Sequence, residues 1–383
     1  MTKLRDICRF QSGGTPSRGT PAYFNGNIPW ITTVALNGDV IDGNQAIEWI
    51  TDEAIAKSAA KIVPPHSVMI GTRVGIGKVA INSVPMSTSQ DIISLIGIDE
   101  NKWDKKFICH LITANKEHLN SQARGATIKG IKIEVIADLV LPEISVKEQA
   151  RVSEIIGKVD ALICMQQQMA RNLDQLIKSR FIELFGDLLS NDKGWQKVLI
   201  TEVCHAIFGG GTPSKSYPEY FTGSIPWVSP KDMKSSVISD SIDHITEEAI
   251  THSTTNLVPA NSVLMVIRSG ILKHTLPVAI NSVPVTINQD MKAFVPNESI
   301  KAAFLMHYFK AVENDVLSGV RGVTADNIDF KAFQKRTIIV PPLVLQEQFA
   351  TFVEQTDKSK LAAQKGLQEL EILKKSLMQQ YFG

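Results

Sequence analysis

The sequence has few of the features that mark a secreted, membrane or metal-binding protein. The four cysteines are Cys8, Cys109, Cys164 and Cys204. They lie far apart and never at C-x-x-C spacing, so they indicate neither a zinc site nor a disulfide framework. No run approaches the roughly 18 consecutive apolar residues of a membrane span, and Met1–Asp6 does not lead into the apolar core of a signal peptide. We therefore expect a cytoplasmic protein with reduced, mostly buried thiols.

An excess of charge of one sign is also missing. The chain has 383 residues, with 40 Lys and Arg against 39 Asp and Glu. Net charge therefore gives no support for nucleic-acid binding, and any such surface must be a local patch. The length predicts two or more domains, because single cores rarely grow past about 250 to 300 residues.

Catalytic motifs are absent as well. The eight histidines show no H-E-x-x-H or other metal-ligand spacing. The stretch Gly75–Ala80 fits a loose G-x-G-x-x-A nucleotide pattern, but a strand-like run follows it where a helix is required. No Asn-Pro-Pro-aromatic tetrapeptide, which a base-modifying amino-methyltransferase needs to hold a flipped base, occurs in the sequence. We predict that the chain binds no metal or cofactor and is not itself an enzyme.

The most regular stretch present runs from Val146 to Phe185. Its apolar residues recur at steps of three and four, which predicts one face of a helix roughly 60 Å long. The stripe comprises Val152, Ile156, Val159, Ile163, Met169, Leu173 and Leu176. Leu173–Ser179 is matched 197 positions later by Leu370–Ser376. A long helix with one apolar face needs a partner, so we expect these two helices to pair.

The segments before each helix also repeat. Gly13–Ser17 is echoed by Gly210–Ser214, and Ile28-Pro29-Trp30 by Ile225-Pro226-Trp227. Thr51 and Thr246 each begin a helix as a capping residue, and a helix is predicted over Asp104–Leu119. Further matches join Val79–Pro85 to Val278–Pro284, Gln90-Asp91 to Gln289-Asp290, and Ala123–Thr127 to Val320–Thr324. The order is therefore globule, long helix, globule, long helix.

This order predicts an α/β protein with two globular domains, 1–145 and 189–343, and two long helices in 146–188 and 344–383. A parallel pair of helices would require the second globule to span the whole rod and return. We therefore expect an antiparallel, coiled-coil-like pair and a dumbbell with a pseudo-two-fold axis.

The repeated motifs resemble a known family. The Gly-Gly-Thr-Pro-Ser turn, the Ile-Pro-Trp strand, the Arg-Gly-x-Thr loop and the Pro-x5-Glu-Gln approach to each helix (Pro142–Gln149 and Pro341–Gln348) are similar to those of specificity subunits of type I restriction-modification systems. The resemblance covers nearly the whole chain. It implies two target-recognition domains that each read half of a split double-stranded DNA site, and helices that set the gap and dock two methyltransferase subunits. A restriction and translocase subunit would join outside them. S-adenosylmethionine would bind the methyltransferase, and ATP with magnesium the restriction subunit.

The two copies suggest which residues contact DNA. Polar loop residues shared by both copies are candidates for phosphate contact. They are Thr15, Ser17, Arg73, Arg124 and Thr127, with their counterparts Thr212, Ser214, Arg268, Arg321 and Thr324. Arg18, Lys78 and Lys215 are further basic candidates in the same motifs.

Positions at which the copies diverge are candidates for reading bases, because amide and basic side chains suit adenine and guanine edges. They are Asn37, Asn44, Gln45 and Lys129 in the first copy, and Lys231, Lys234, Lys273, His274 and Asn327 in the second. Trp30 and Trp227 are predicted to be core residues, and the paired glycines to permit tight turns or close backbone approach. The alternative function is a bivalent scaffold that binds protein or glycan.

Overall fold

The computed structural model describes residues 1–38, 40–125, 129–319 and 326–383. It divides the chain into two units. The first consists of Met1–Gln167 with Lys365–Gly383, and the second of Gln168–Gln364. Each unit therefore contains one globule and part of both long helices. Within the part of the chain described, no helix is both long enough and apolar enough to cross a membrane.

The first unit contains two sheets. Its strands are β1 (Arg9–Ser12), β2 (Phe24–Ile31), β3 (Val40–Ile41), β4 (Glu48–Ile50), β5 (Ile62–Val63), β6 (Val68–Gly71), β7 (Val79–Asn82), β8 (Met86–Thr88) and β9 (Ile92–Ile96). One sheet has the order β1-β9-β6-β7-β3 and the other β4-β2-β8-β5. Strand β6 is antiparallel to β7 and β9, whereas β3 is parallel to β7.

Short helices surround these sheets. They are α1 (Asp52–Lys57), α2 (Lys105–Ala114), α3 (Lys116–Ser121) and α4 (Ile133–Ala137). The predicted cap at Thr51 is confirmed, since its hydroxyl accepts the Ala54 N–H at 3.2 Å. The single helix predicted over Asp104–Leu119 is interrupted at Asn115. The Asn115 side-chain amide donates to the Leu111 carbonyl at 2.9 Å and so satisfies an acceptor at the end of α2.

The second unit repeats this plan. After helix α5 (Val146–Phe185), its strands are β10 (Gln196–Leu199), β11 (Cys204–Gly209), β12 (Ile225–Val228), β13 (Val237–Ile238), β14 (His244–Ile245), β15 (Val263–Val266), β16 (Val278–Asn281), β17 (Thr286–Ile287), β18 (Met291–Pro296) and β19 (Thr337–Val340). The helices are α6 (Glu247–Thr251), α7 (Ala302–Ala311), α8 (Glu313–Ser318), α9 (Phe330–Gln334) and α10 (Leu343–Phe382). The five-stranded order β11-β18-β15-β16-β13 matches that of the first unit, and the predicted Thr246 cap accepts the Ala249 N–H.

Near its first strand the second copy contains an inserted residue that a match between motifs does not reveal. Cys8 and Cys204 are 196 positions apart, whereas Gly13 and Gly210 are 197 apart. The pairing of β11 with β18 shifts register between Cys204 and Ala206. This β-bulge takes up the extra residue in the second copy, so the Gly-rich turns that follow occupy equivalent places.

The approach to each long helix is fixed by a buried glutamine. In the first unit Gln149 accepts the Asp104 N–H at 2.9 Å, and in the second Gln346 accepts the Lys301 N–H at 2.8 Å. The two side chains are 1% and 0% exposed. Gln149 therefore corresponds to Gln346, and the sequence match of Pro142–Gln149 to Pro341–Gln348 was wrong by two residues.

The long helices pair antiparallel within each unit, as predicted. In the first unit Asp160 of α5 pairs with Lys374 of α10 at 2.5 Å, and the earlier residue Val152 lies in one cluster with the later Phe382. In the second, Asp174 pairs with Lys360 at 2.6 Å, and the later Phe181 packs on the earlier Phe349. As residue numbers increase along α5, the numbers of the residues that they contact on α10 decrease, which is antiparallel pairing.

The predicted apolar stripe is only partly buried. Val152, Ile156 and Val159 are buried, but Met169 and Leu176 are 47% and 49% exposed. Ile177 and Phe181 face the core of the second unit instead. At 3.6 residues per turn the face drifts around the helix, so one straight stripe cannot face both globules.

Candidate nucleic-acid interface

One end of the five-stranded sheet in the first unit gathers most of the predicted DNA-contact segments. Strands β1 and β6 end there, in the Gly-rich turn and at Thr72-Arg73. Strands β9 and β7 begin there, after Gln90-Asp91 and Lys78. The Gly38 N–H donates to the Val79 carbonyl at 2.7 Å and brings the approach to β3 to the same end.

The Gly-rich turn is held by backbone contact. Gly13 and Gly14 donate to the carbonyls of Ile92 and Thr88 at 3.0 and 2.9 Å, and the Trp30 indole N–H donates to the Gly14 carbonyl at 3.0 Å. A Cβ on Gly13 would lie closer than 3.0 Å to backbone oxygen. The predicted close approach is thus confirmed, and Trp30, 5% exposed, is a core residue as predicted.

The second unit repeats the contacts of Gly14. Gly211 donates to the Ile287 carbonyl at 3.0 Å and accepts the Trp227 indole N–H at 3.0 Å. A Cβ on Gly210 would overlap the Asn288 carbonyl. Trp227 packs in a cluster with Tyr220 and Ile245, so its role is also structural.

Each arginine turn is joined to a Gln-Asp turn by an ion pair. In the first unit Arg73 Nη1 lies 3.6 Å from Asp91 Oδ1. In the second, Arg268 Nε donates to Asp290 Oδ1 at 2.6 Å. The two arginine side chains remain about half exposed.

A fourth segment closes the same sheet end. The Ile131 N–H donates to the Thr72 carbonyl at 2.9 Å, and Arg124 forms an isolated bridge with Gly130. In the second unit the Ile328 N–H donates to the Ile267 carbonyl at 2.9 Å, and Asn327 forms an isolated β-bridge with Arg268. Lys129 and Asn327 are thereby brought beside the arginine turns.

The predicted residues that the structure describes lie at the surface. All are exposed except Thr15, which is half buried. The exposed ones are Ser17, Arg18, Asn37, Asn44, Gln45, Arg73, Lys78, Arg124, Lys129, Thr212, Ser214, Lys215, Lys231, Lys234, Arg268, Lys273, His274 and Asn327. Thr127, Arg321 and Thr324 lie outside the described residues.

Only some of these residues come together. The sheet end of the first unit collects Asn37, Arg73, Lys78, Arg124 and Lys129, and that of the second Lys234, Arg268, Lys273, His274 and Asn327. Asn44 and Gln45 follow the opposite end of β3. Lys231 lies three residues before Lys234 in the same turn, in which the Asp232 carboxylate accepts the Ser229 N–H.

Arg18 is held more firmly than the sequence indicates. Its guanidinium donates to the Glu48 carboxylate and lies over the rings of Phe24 and Trp30, 5.1 and 5.6 Å from their centroids. The hydrogen bond to Glu48 raises the pKa of Arg18. This side chain therefore braces the Gly-rich turn against β2 and β4.

Sequence reasoning missed the Gln-Asp turns as part of the site. Gln90 and Gln289 are exposed beside the arginines, and the Gln289 side chain accepts the Thr212 hydroxyl. Their repetition at equivalent positions was the available signal. Among the described residues, no group of three or more His, Cys, Asp or Glu side chains could hold a metal ion.

Known proteins are similar to this chain in sequence. A model of the type I restriction modification DNA specificity domain matches residues 1–183 and again 192–372. The specificity subunit of the type I restriction enzyme EcoR124I/EcoR124II from Escherichia coli is 35% identical over 238 residues, which are 61% of this chain and 59% of that subunit. The MjaIX specificity subunit from Methanocaldococcus jannaschii is 24% identical over 99% of this chain and 91% of its own length.

Two solved structures share the fold. The S subunit of a type I restriction-modification system from M. genitalium aligns with a TM-score of 0.61 at 15% identity, over 100% of this chain and 95% of that one. A chain from a study of complex assembly and conformational transition in a type I R-M system aligns with a TM-score of 0.60 at 18% identity, over 100% and 96%. Because the family model covers both repeats, the resemblance read from the motifs is confirmed. The chain belongs to the type I restriction-modification DNA specificity family and is a DNA-sequence-recognition subunit.

Proposed function

We propose that the chain is the non-catalytic specificity subunit of a type I restriction-modification complex and that each repeat reads one half of an asymmetric, bipartite DNA site. The observation that carries this proposal is the pair of sheet ends. Their turns share equivalent backbone hydrogen bonds. Gly14 and Gly211 donate to the carbonyls of Thr88 and Ile287, and Thr72 and Ile267 donate to those of Asp91 and Asp290. The side chains around them differ, with Asn37 and Lys129 in the first and Lys234, His274 and Asn327 in the second. A shared frame with different polar groups suits two unlike half-sites.

In this proposal residues 1–145 and 189–343 are target-recognition domains, and the helices of 146–188 and 344–383 are spacers. Both helices carry exposed apolar side chains in both units. Met165 and Ile372 are 65% and 70% exposed in the first, and Ile182 and Val344 are 61% and 64% exposed in the second. These residues offer apolar surface to a partner, whose contact would remove it from water. We assign them to two methyltransferase subunits, one for each unit.

The remaining chemistry belongs to the partners. S-adenosylmethionine binds the methyltransferase subunits, and ATP with magnesium binds the restriction and translocase subunit, while this chain binds no cofactor. The complex acts on DNA in the cytoplasm. Incubation of the purified chain with DNA and S-adenosylmethionine is expected to transfer no methyl group, and addition of the methyltransferase subunits is expected to start transfer.

Methylation mapping of the reconstituted complex tests the proposal. Native mass measurement is expected to give two methyltransferase subunits per chain. Methylation mapping is expected to give an asymmetric motif, in which two half-sites are separated by a fixed gap of unread bases. Methylation without sequence preference, or one contiguous motif, would contradict the proposal.

The helices are expected to set that gap. Four residues inserted after Ala170, with four more inserted after Gln364 on α10, lengthen the paired helices by about 6 Å. This is nearly two base-pair steps at about 3.4 Å each. The lengthened complex is expected to read the same half-sites across a longer gap, or to lose activity. Changed half-site bases with an unchanged gap would assign sequence reading to the helices.

A further inference from the structure

The two arginine turns, equivalent in sequence, differ in how the guanidinium is held. In the second unit Asp290 Oδ1 accepts from Arg268 Nε at 2.6 Å, and Asp290 Oδ2 accepts from the Asn288 amide at 3.3 Å. Asn288 Oδ1 in turn accepts the Asp290 N–H at 3.1 Å. Asn288, Asp290 and Arg268 therefore form one hydrogen-bonded chain that runs from a buried amide to the exposed guanidinium.

The backbone of this arginine is fixed from both sides. The N–H groups of Ile267 and Arg268 donate to the Asp290 carbonyl at 2.8 and 3.2 Å, and that of Ser269 to the Asp326 carbonyl at 3.1 Å. The side chain of Arg268 is 49% exposed, against 22% for Asp290. The carboxylate thus occupies Nε on the inner side, and the Nη1 and Nη2 groups form the outer edge of the guanidinium.

The first unit lacks this arrangement. Asp91 is 3.6 Å from Nη1 of Arg73, one of the two nitrogens of the outer edge. The residue equivalent to Asn288 is Ser89, whose buried hydroxyl has no hydrogen-bond partner among the described residues. Arg73 is therefore oriented less firmly than Arg268, although both sequences read Gln-Asp at this turn.

We propose that Arg268, held by Asp290 and Asn288, reads a guanine in one half-site, and that Asp290 is its positioning residue. This inference rests on the proposed function and replaces the phosphate contact predicted from the sequence. Two N–H groups on a fixed planar edge match the O6 and N7 acceptors of guanine. Phosphate also accepts a bidentate guanidinium, but the adjacent Asp290 carboxylate offsets the positive charge that favours phosphate.

The test uses the complex with its methyltransferase subunits and DNA duplexes changed one base pair at a time in both half-sites. Arg268→Ala is expected to lose roughly five- to 150-fold discrimination at a single G·C pair, since a bidentate contact contributes about 1 to 3 kcal/mol. Replacing that guanine by 7-deazaguanine is expected to weaken the wild type and leave Arg268→Ala unchanged. Unchanged reading of the other base pairs in the same half-site reports that the second unit remains folded.

Asp290→Asn separates positioning from charge. Loss of a negative charge is expected to leave non-specific binding equal or tighter, while discrimination at the same G·C pair falls several-fold. Asp91→Asn is the matched control and is expected to leave that pair unaffected. Arg124→Ala, at a predicted phosphate contact, is expected to weaken all sequences alike and lower the salt slope by about one.

The result that overturns the inference is a uniform effect. If Arg268→Ala weakens every duplex equally and reduces the salt slope, Arg268 contacts phosphate. If it changes neither property, Arg268 contacts no DNA. Both outcomes leave the proposed function standing, because the wild-type complex still discriminates sequences. Absence of discrimination by the wild type would instead remove the proposed function itself.

Discussion

The two repeats share part of their backbone hydrogen bonding and differ in the polarity of the buried side chains beside it. In the first unit four buried hydroxyls, those of Ser87, Thr88, Ser89 and Ser94, have no hydrogen-bond partner among the described residues. Strand register makes their counterparts Thr286, Ile287, Asn288 and Ala293. Thr286 and Asn288 are hydrogen-bonded, and the other two are apolar. Close backbone approach therefore specifies the fold, and these buried positions accept either polar or apolar side chains.

A second contrast lies where a helix of each globule packs on the long helices. His307 of α7 is half buried and packs against Phe181 and Phe349, with ring centroids 6.5 and 5.1 Å away. Its Nε2 has no partner among the described residues. Burial, with a smaller effect of Lys310, lowers the pKa of His307 to about 3. Burial also lowers the pKa of its counterpart His110, but there Asp160 opposes the shift.

The glycine contacts should produce the largest effects. Gly13→Ala and Gly210→Ala each place a methyl group against backbone oxygen that cannot move aside cheaply. Each substitution is expected to destabilise its own unit by about 3 kcal/mol. Hydrogen exchange resolved along the chain should show faster exchange in the substituted unit, with the other unit protected as in the wild type.

Gly157→Ala is the control, because a Cβ at Gly157 meets no atom within 4 Å. It lies inside helix α5, where alanine is favoured over glycine, and it should stabilise the protein by up to about 1 kcal/mol. Wild-type protection in both Gly13→Ala and Gly210→Ala would show that the turns tolerate a side chain.

Sequence reasoning found the repeat and the long helices because each leaves a duplicated or periodic pattern. It found the antiparallel pairing from the order of globules and helices along the chain. It did not find the bulge after Cys204, since one inserted residue barely alters a match between motifs. It also placed Asn44 and Gln45 with the site, although the parallel pairing of β3 with β7 carries them to the other end of the strand. Which loops converge depends on strand direction, and the sequence alone does not reveal it.

Lowering the pH is expected to destabilise the second unit more than the first, by less than the glycine substitutions do. Folded His307 stays neutral down to about pH 3, whereas the unfolded chain takes up a proton below about pH 6.5. Its contribution to stability is therefore complete above pH 6.5 and declines as the pH falls toward 3. Between pH 7 and 5.5 the second unit should lose about 1 kcal/mol through this group.

Denaturant unfolding at several pH values checks this expectation. His307→Phe should remove that part of the pH dependence, since phenylalanine suits the surrounding rings. His110→Phe is the matched variant in the first unit and should change the slope less. Equal pH slopes for the wild type and His307→Phe would mean that the imidazole can be protonated in the folded protein.

The smallest expected effect comes from exchanging one hydroxyl between the repeats. Ser94 lies opposite Met69 and Gln11 in the first sheet, and Ala293 lies opposite Leu264 and Phe208 in the second. Because the Ser94 hydroxyl is buried without a described partner, Ser94→Ala removes a desolvation cost and should stabilise the first unit by about 0.5 to 1 kcal/mol.

Ala293→Ser makes the reverse change in the second unit and should destabilise it by about 0.5 to 1 kcal/mol, since Leu264 and Phe208 opposite it carry no polar side chain. Unit-resolved hydrogen exchange measures both variants against the wild type. If the two substitutions change stability in opposite directions, the backbones of the two units are equivalent at this position and only the buried side chains differ. A destabilising Ser94→Ala would instead mean that the first unit holds an ordered water at Ser94, which its hydroxyl binds and which the second unit has no need of.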